Sequence, residues 1–253
     1  MRRLILAAAI TILAGGSVGA QDVMNGGINQ SWSSTQMLLN SERKAWAAPE
    51  CIDDARWSVD CEGTPPRRSG PTRTEPEKLD EAALTFLPSL ERRQRNFAAL
   101  VQRSRVTDPS GAEQLQAFLE QDVIGFVGKE VAPLGLRTNN LADAMTIYVM
   151  EAWEAANAKV MEPSRTRALA VRRQMVRALA AGPAILSADD AAKQETAEAM
   201  MVQAVMVSNA IKLAVQKDDK AEIAAVQVAA QKGALAILGV DLRSMTMTEA
   251  GLR

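Results

Sequence analysis

From residue 79 to the C terminus, hydrophobic residues recur at intervals of three and four positions, the period of helices with one buried face. The same region lacks the alternating β-branched runs and Asn-Gly turns that mark strands and hairpins. The pattern predicts seven helices, near residues 89–106, 111–121, 122–131, 140–158, 164–181, 188–216 and 219–238. We therefore expect an all-α fold, a compact bundle of about seven helices with an irregular N-terminal arm.

Residues that commonly begin and end helices support these boundaries. Ser110 to Glu113 has the Ser-x-x-Glu spacing of a capping box. Asn139 or Asn140 can cap the fourth helix, which carries Asp143 in its first turn, where an acid is favourable. Asp218 or Asp219 can open the last helix and Gly239 can end it.

The helix that begins near Ala191 is apolar on nearly every side, which is typical of a helix in the middle of a bundle. Its densest apolar stretch, 197–215, is interrupted by Gln203, Asn209 and Lys212. Because a membrane span needs about 20 consecutive apolar residues, we expect no transmembrane segment here.

The N terminus has the order of a secretory signal. Arg2 and Arg3 precede an apolar run, Leu4 to Ala14, and Val18-Gly19-Ala20 provides small residues for cleavage. We expect residues 1–20 to be a signal peptide that is removed near Ala20, which places the protein in the periplasm or outside the cell. The alternative is a buried N-terminal helix.

Residues 21–78 form the predicted arm. It carries Trp32, Trp46 and Trp57, and it ends in a proline-rich linker. The two cysteines, Cys51 and Cys61, also lie here. Since exported proteins keep paired cysteines oxidised, we expect an intramolecular disulfide. The helical domain then occupies 79–253.

The amino-acid composition excludes several kinds of catalytic and binding site. The chain has no histidine, which excludes Ser-His-Asp and Cys-His catalysis. Two cysteines without histidine do not provide four zinc ligands, so we expect neither metal nor cofactor. The chain has 29 basic and 30 acidic residues, and loss of Arg2 and Arg3 leaves 27 against 30. This balance does not suggest nucleic-acid binding.

A polar stripe on the fourth helix is a candidate site. At 100° per residue, Asp143, Glu154 and Asn157 fall within roughly 60° of one another. Ile147 and Met150 share the stripe, an unusual composition for a solvated face, so it could line a cleft. Paired carboxylates are also the one catalytic arrangement here that needs no histidine. The alternative is a partly covered helix with exposed acids.

Arg93 is the second candidate. Leu90, Phe97, Leu100 and Val101 define the apolar face of the first helix, and Arg93 falls inside that arc. Because an unpaired buried charge is very costly, we expect Arg93 to pair with a carboxylate of another helix, Asp122 or Asp143.

The stretch from Leu84 to Leu252 resembles a bacterial family known as domain of unknown function 6683. The resemblance is carried by Arg95-Asn96-Phe97, Asp108-Pro109-Ser110-Gly111-Ala112, Asp122-Val123-Ile124-Gly125, Ala132-Pro133-Leu134-Gly135-Leu136, Asn140-Leu141-Ala142-Asp143-Ala144 and Ala152-Trp153. It implies an exported helical domain without a known activity, and it leaves the N-terminal arm outside.

These observations predict a non-enzymatic protein that binds an envelope protein or polymer. One alternative is an envelope glycan hydrolase that uses Asp143 or Glu154. A second alternative is a structural or assembly component held by the arm.

Overall fold

The computed structural model describes residues 81–180 and 183–253, and every structural statement below concerns these residues. The predicted signal peptide, the arm and linker over 21–78 and the Cys51–Cys61 pair lie outside them.

Within the described residues, seven helices of at least nine residues account for most of the fold, and the all-α prediction is confirmed. They are α1 (Leu90–Thr107), α2 (Pro109–Leu119), α3 (Val123–Val131), α4 (Leu141–Asn157), α5 (Arg165–Ala180), α6 (Asp190–Gln216) and α7 (Lys220–Leu238). Single helical turns occur at Glu81–Leu84, Ala132–Leu134 and Pro183–Leu186. Two short antiparallel strands, β1 (Met247–Thr248) and β2 (Gly251–Leu252), end the chain.

The predicted caps are mostly confirmed. The side chain of Asn140 accepts hydrogen bonds from the backbone N–H groups of Ala142 and Asp143, and Asp219 caps α7. Gly239 ends α7 with a φ of 73°, in the left-handed region that glycine adopts without strain.

The prediction of a capping box that begins at Ser110 is wrong. Asp108 is the cap of α2, since its carboxylate accepts from the N–H of Gly111, and Pro109 is the first helical residue. Proline suits that position because its φ is already helical and it has no N–H to satisfy. The helix therefore begins before Ser110.

The centre of the fold is the packing of α6 against α4, with α5 and α7 against other sides of α4. All residues of α4 are buried except Glu151 and Asn157. Met200, Met201 and Ile211 of α6 are fully buried. The predicted central place of α6 is thus confirmed, and its apolar surface is explained by contact with helices on several sides.

Two described helices, α6 and α7, are long and apolar enough to cross a membrane on length and composition alone. In α6, 67% of the apolar window is buried within the fold, and in α7 44% is buried. Packing therefore accounts for much of the apolarity of α6. That the chain has no transmembrane segment stays a prediction.

Side chains of α4 and α5 hold the C-terminal strands in place. Gln174 of α5 bonds both backbone groups of Leu252, accepting from its N–H at 3.0 Å and donating to its carbonyl at 2.8 Å. The indole N–H of Trp153 donates to the carbonyl of Met245 at 2.9 Å. Strands of two residues are too short to show alternation, so the sequence pattern did not reveal them.

Candidate functional site

Asp143, at the first turn of α4, is part of a complete ion-pair cluster. Its carboxylate is fully buried, and Oδ2 accepts from the backbone N–H and the Nε of Arg137, at 3.0 and 3.3 Å. Oδ1 binds the Nε of Arg172 on α5. Both oxygens are therefore engaged with groups of the protein itself, and Asp143 ties α4 to α5 and to the loop that precedes it.

Asn157, at the other end of the predicted stripe, holds backbone segments together. Its side-chain Nδ2 donates to the carbonyls of Trp153, at 3.0 Å, and Leu242, at 3.2 Å. Together with Trp153, it attaches the segment after α7 to α4. The structure gives Asn157 a bridging role between α4 and the C-terminal segment.

Arg93 pairs with a carboxylate of another helix, as predicted, but the named partners are wrong. Its Nε lies 2.8 Å from Oε1 of Glu198 on α6, a residue whose side chain is 2% exposed. Asp122 instead caps α3 through the N–H of Gly125, and Asp143 binds the two arginines described above. Arg93 reaches Glu198 because α1, which carries Arg93, packs against α6, which carries Glu198.

Arg93 also lines an open groove of about 690 Å³ between α1, α2 and the start of α3. Leu90, at one end of this groove, is 67% exposed, and Phe97 and Val101 contribute further apolar surface. Among the described residues, Arg93 and Glu154 thus lie in two different concave regions.

Glu154 lies in a second cavity, of about 190 Å³, formed by α3, α4, α6 and the segment that leads into α5. Its walls are mainly apolar: Phe126, Val127, Val131, Leu134, Ile147, Met150, Met161, Pro163, Ala204 and Val205. Its polar residues are Glu130, Glu151, Glu154, Glu162, Arg167, Ser208, Asn209 and Lys212. We call this space the α4–α6 cavity.

Two glutamates of α4 face this cavity. Glu154 is 6% exposed, and burial raises its pKa to about 7. The nearby Glu151 also contributes to this rise, and Lys212, the backbone N–H of Met161 and Arg167 partly offset it. Glu154 is therefore close to half ionised at neutral pH.

The cations of the cavity already have partners. The Nζ of Lys212 lies 3.6 Å from Oε2 of Glu151 and donates to the hydroxyl of Ser208 at 2.6 Å. Arg167 pairs at 2.7 Å with Glu249, in the turn between β1 and β2. Glu154 has no cationic side chain within ion-pair distance among the described residues.

Asn209 of α6 is the least satisfied side chain of the cavity. It is 5% exposed, and neither its amide nitrogen nor its amide oxygen has a hydrogen-bond partner among the described residues. Most buried polar side chains are hydrogen-bonded, and an unpartnered one is costly. Asn209 therefore places an unused donor and an unused acceptor at the wall of the cavity.

The fold is all-α in the described residues, and it encloses a small, mainly apolar cavity that several polar side chains also line. The chain belongs to a family of unknown function, DUF6683, whose family model matches residues 1–253. The match includes the N-terminal arm, so the expectation that the arm lies outside the family is wrong. No curated protein and no solved structure matches the chain.

The polar stripe predicted from the sequence contains three residues that line the cavity, Ile147, Met150 and Glu154, and it missed Glu151, Asn209 and Lys212. Asn209 and Lys212 were visible as interruptions of the apolar stretch of α6, and their spacing of three places both on one side of a helix. Which side of α6 would face α4 was not visible. Among the described residues, no three His, Cys, Asp or Glu side chains are placed to hold a metal ion.

Proposed function

We propose that this chain is an exported envelope protein that binds a small organic molecule in the α4–α6 cavity and catalyses no reaction on it. The observation that carries the proposal is Asn209, a buried amide with an unused donor and acceptor at the wall of a cavity. A bound molecule with hydrogen-bonding groups would offset the unfavourable burial of this amide.

The cavity has the composition of a ligand site. Small-molecule sites are mainly apolar with a few convergent polar groups, and here Glu151, Glu154 and Asn209 meet beside Ile147 and Met150. An apolar cavity of about 150 Å³ accommodates a benzene molecule. A space of about 190 Å³ is therefore suited to a molecule with one ring or a short chain.

The alternative of a glycan hydrolase is favoured by one observation. Glu154 has a pKa of about 7, the range of a general acid at neutral pH, and Glu151 supplies a second carboxylate. The cavity, however, is smaller than the roughly 300–1,000 Å³ of sites for drug-sized ligands. A glycan chain does not fit inside it, so binding is the better supported function.

The binding proposal is tested by titrating the purified protein with a panel of one-ring compounds that carry neutral, cationic or anionic groups. We expect calorimetry and NMR to detect binding of at least one compound, and we expect Asn209→Leu to abolish it. Gln203→Leu removes another buried amide of α6 that does not line the cavity, and it should leave binding unchanged. Absence of binding for the whole panel would contradict the proposal.

Hydrolysis is tested separately with cell-wall glycan fragments. We expect no cleavage. Cleavage that is lost in both Glu151→Gln and Glu154→Gln would establish the alternative instead.

Export is tested by mass spectrometry of the protein recovered from its native host. We expect Gln21 as the first residue. Recovery of the protein with Met1 intact would contradict export by cleavage.

A further inference from the structure

We propose that the molecule taken by the α4–α6 cavity is a small organic cation, a primary ammonium compound with an apolar body. This inference rests on the proposed binding function. The juxtaposition that points to it is a pair of carboxylates that line the cavity, Glu151 and Glu154, together with the unpartnered amide of Asn209 and a mainly apolar wall.

The charged residues that line the cavity favour a cation. On the helix of Glu154 lies Glu151; Lys212 comes from α6, Arg167 from α5, Glu130 from α3, and Glu162 from the segment between α4 and α5. Four carboxylates and two cations thus line the cavity, although Glu130 and Glu162 are exposed to solvent and, of these charged residues, only Glu151, Lys212 and Arg167 act on the pKa of Glu154. Arg167 is bound to Glu249, which does not line the cavity, and Lys212 is shared between Glu151 and Ser208. An added positive charge would be attracted here and an added negative charge repelled.

The hydrogen-bonding groups fit the same ligand. An ammonium group has three N–H donors and no acceptor. The cavity offers acceptors in the carboxylate of Glu154, in Oε2 of Glu151 and in the amide oxygen of Asn209. The amide oxygen of Asn209 has no hydrogen-bond partner among the described residues. Oε2 of Glu151 also accepts no hydrogen bond there, but it lies 3.6 Å from the Nζ of Lys212. The apolar body would lie against Ile147, Met150 and Val205.

A cation can be distinguished from a neutral ligand by protons as well as by affinity. An ammonium group near Glu154 favours its ionised form, so binding at neutral pH should release part of a proton from this carboxyl. A neutral alcohol favours no such release. The number of protons released on binding therefore shows whether the ligand places a positive charge near Glu154.

The test compares 2-phenylethylamine, 2-phenylethanol and phenylacetate, which share a ring and differ in the charge of the head group. Calorimetry at pH 7, in two buffers of different ionisation enthalpy, gives both affinity and proton release. We expect the amine to bind at least about tenfold more tightly than the alcohol, because a charge-assisted hydrogen bond is stronger than a neutral one. We expect phenylacetate to bind most weakly, and only the amine to release protons.

Glu154→Gln keeps the shape of the side chain and removes its charge. We expect it to weaken amine binding about tenfold, to leave alcohol binding within about twofold and to abolish proton release. The control is Glu113→Gln, an exposed residue of α2 outside the cavity, which should change none of these values. Proton release is also measured on the unsubstituted protein, so this part of the test remains valid even if Glu154→Gln does not fold.

The outcomes separate the two proposals. If 2-phenylethanol or phenylacetate binds as tightly as the amine, the cavity is a binding site but the inference about cations is wrong. Equal proton release with the amine and the alcohol would also overturn it. If none of the three compounds binds and the wider panel also fails, the proposed binding function is wrong as well.

Discussion

The two ends of α4 present buried carboxylates in contrasting surroundings. Asp143 and Glu154 lie on one stripe of the helix, about three turns apart, and both are at most 6% exposed. Asp143 is bound by two arginines, Arg137 and Arg172. Glu154 lies beside another carboxylate, Glu151, and its pKa rises to about 7.

This difference shows that burial of a charged residue does not by itself indicate function. A carboxylate whose two oxygens are both bound by groups of the protein holds the fold together, as Asp143 does. An incompletely satisfied cluster beside a cavity, such as that of Glu154 and Asn209, has capacity left for a ligand. The four predictions below test this contrast.

Asp143→Asn should have the largest effect, because it removes the buried charge that Arg137 and Arg172 bind. Loss of one member of a buried pair typically lowers the free energy of unfolding by about 3–5 kcal/mol, which urea denaturation would measure. The control is Glu91→Gln, since Glu91 pairs with Arg95 on the surface, where such pairs contribute about 1 kcal/mol or less. Equal small effects would show that the Asp143 cluster adds little to stability.

Arg93→Ala should come next, at about 2–3 kcal/mol, because it removes a charge-assisted hydrogen bond from the buried Glu198. Arg95→Ala changes only the exposed pair with Glu91, in which the two side chains are 64% and 79% exposed. Thermal unfolding of both variants measures the stability that each has lost, and we expect the larger loss for Arg93→Ala. A larger loss for Arg95→Ala would contradict the structural role of the Arg93–Glu198 pair.

Glu154 should make stability depend on pH. Between its ordinary pKa of 4.5 and the raised value of about 7, the folded protein binds the proton and the unfolded chain does not. The free energy of unfolding therefore decreases as pH rises through this interval, by about 3 kcal/mol. Denaturation from pH 4 to pH 8 should show a flatter profile for Glu154→Gln. An identical slope in the variant would mean that another group causes the decrease.

Asn209→Leu should have the smallest effect and the opposite sign. Replacing an unpartnered buried amide with an apolar group of similar size should stabilise the ligand-free protein by about 1 kcal/mol. Asn140→Leu is the matched comparison, because Asn140 is also buried but caps α4, and its loss should destabilise by about 1 kcal/mol. If both variants are destabilised, the amide of Asn209 has a structural partner.

The sequence by itself determined the helices of this protein. The period of apolar residues and caps such as Asn140 and Asp219 act within a few positions of the chain, so local pattern was enough to place α1 to α7 within about two residues. It also determined that Arg93 needs a carboxylate, because the pattern of one helix shows a charge inside an apolar face.

Only the tertiary structure decided which carboxylate Arg93 binds and which polar residues share a cavity. Glu198 is 105 residues from Arg93, and Asn209 lines the same cavity as Glu154 only because α6 packs against α4. The relative rotation of two packed helices depends on all the side chains between them, so it is not readable from the period of either helix. For the same reason, the period of α4 puts Asp143 and Glu154 on one stripe, but in the fold Asp143 belongs to an ion-pair cluster and Glu154 lines a cavity.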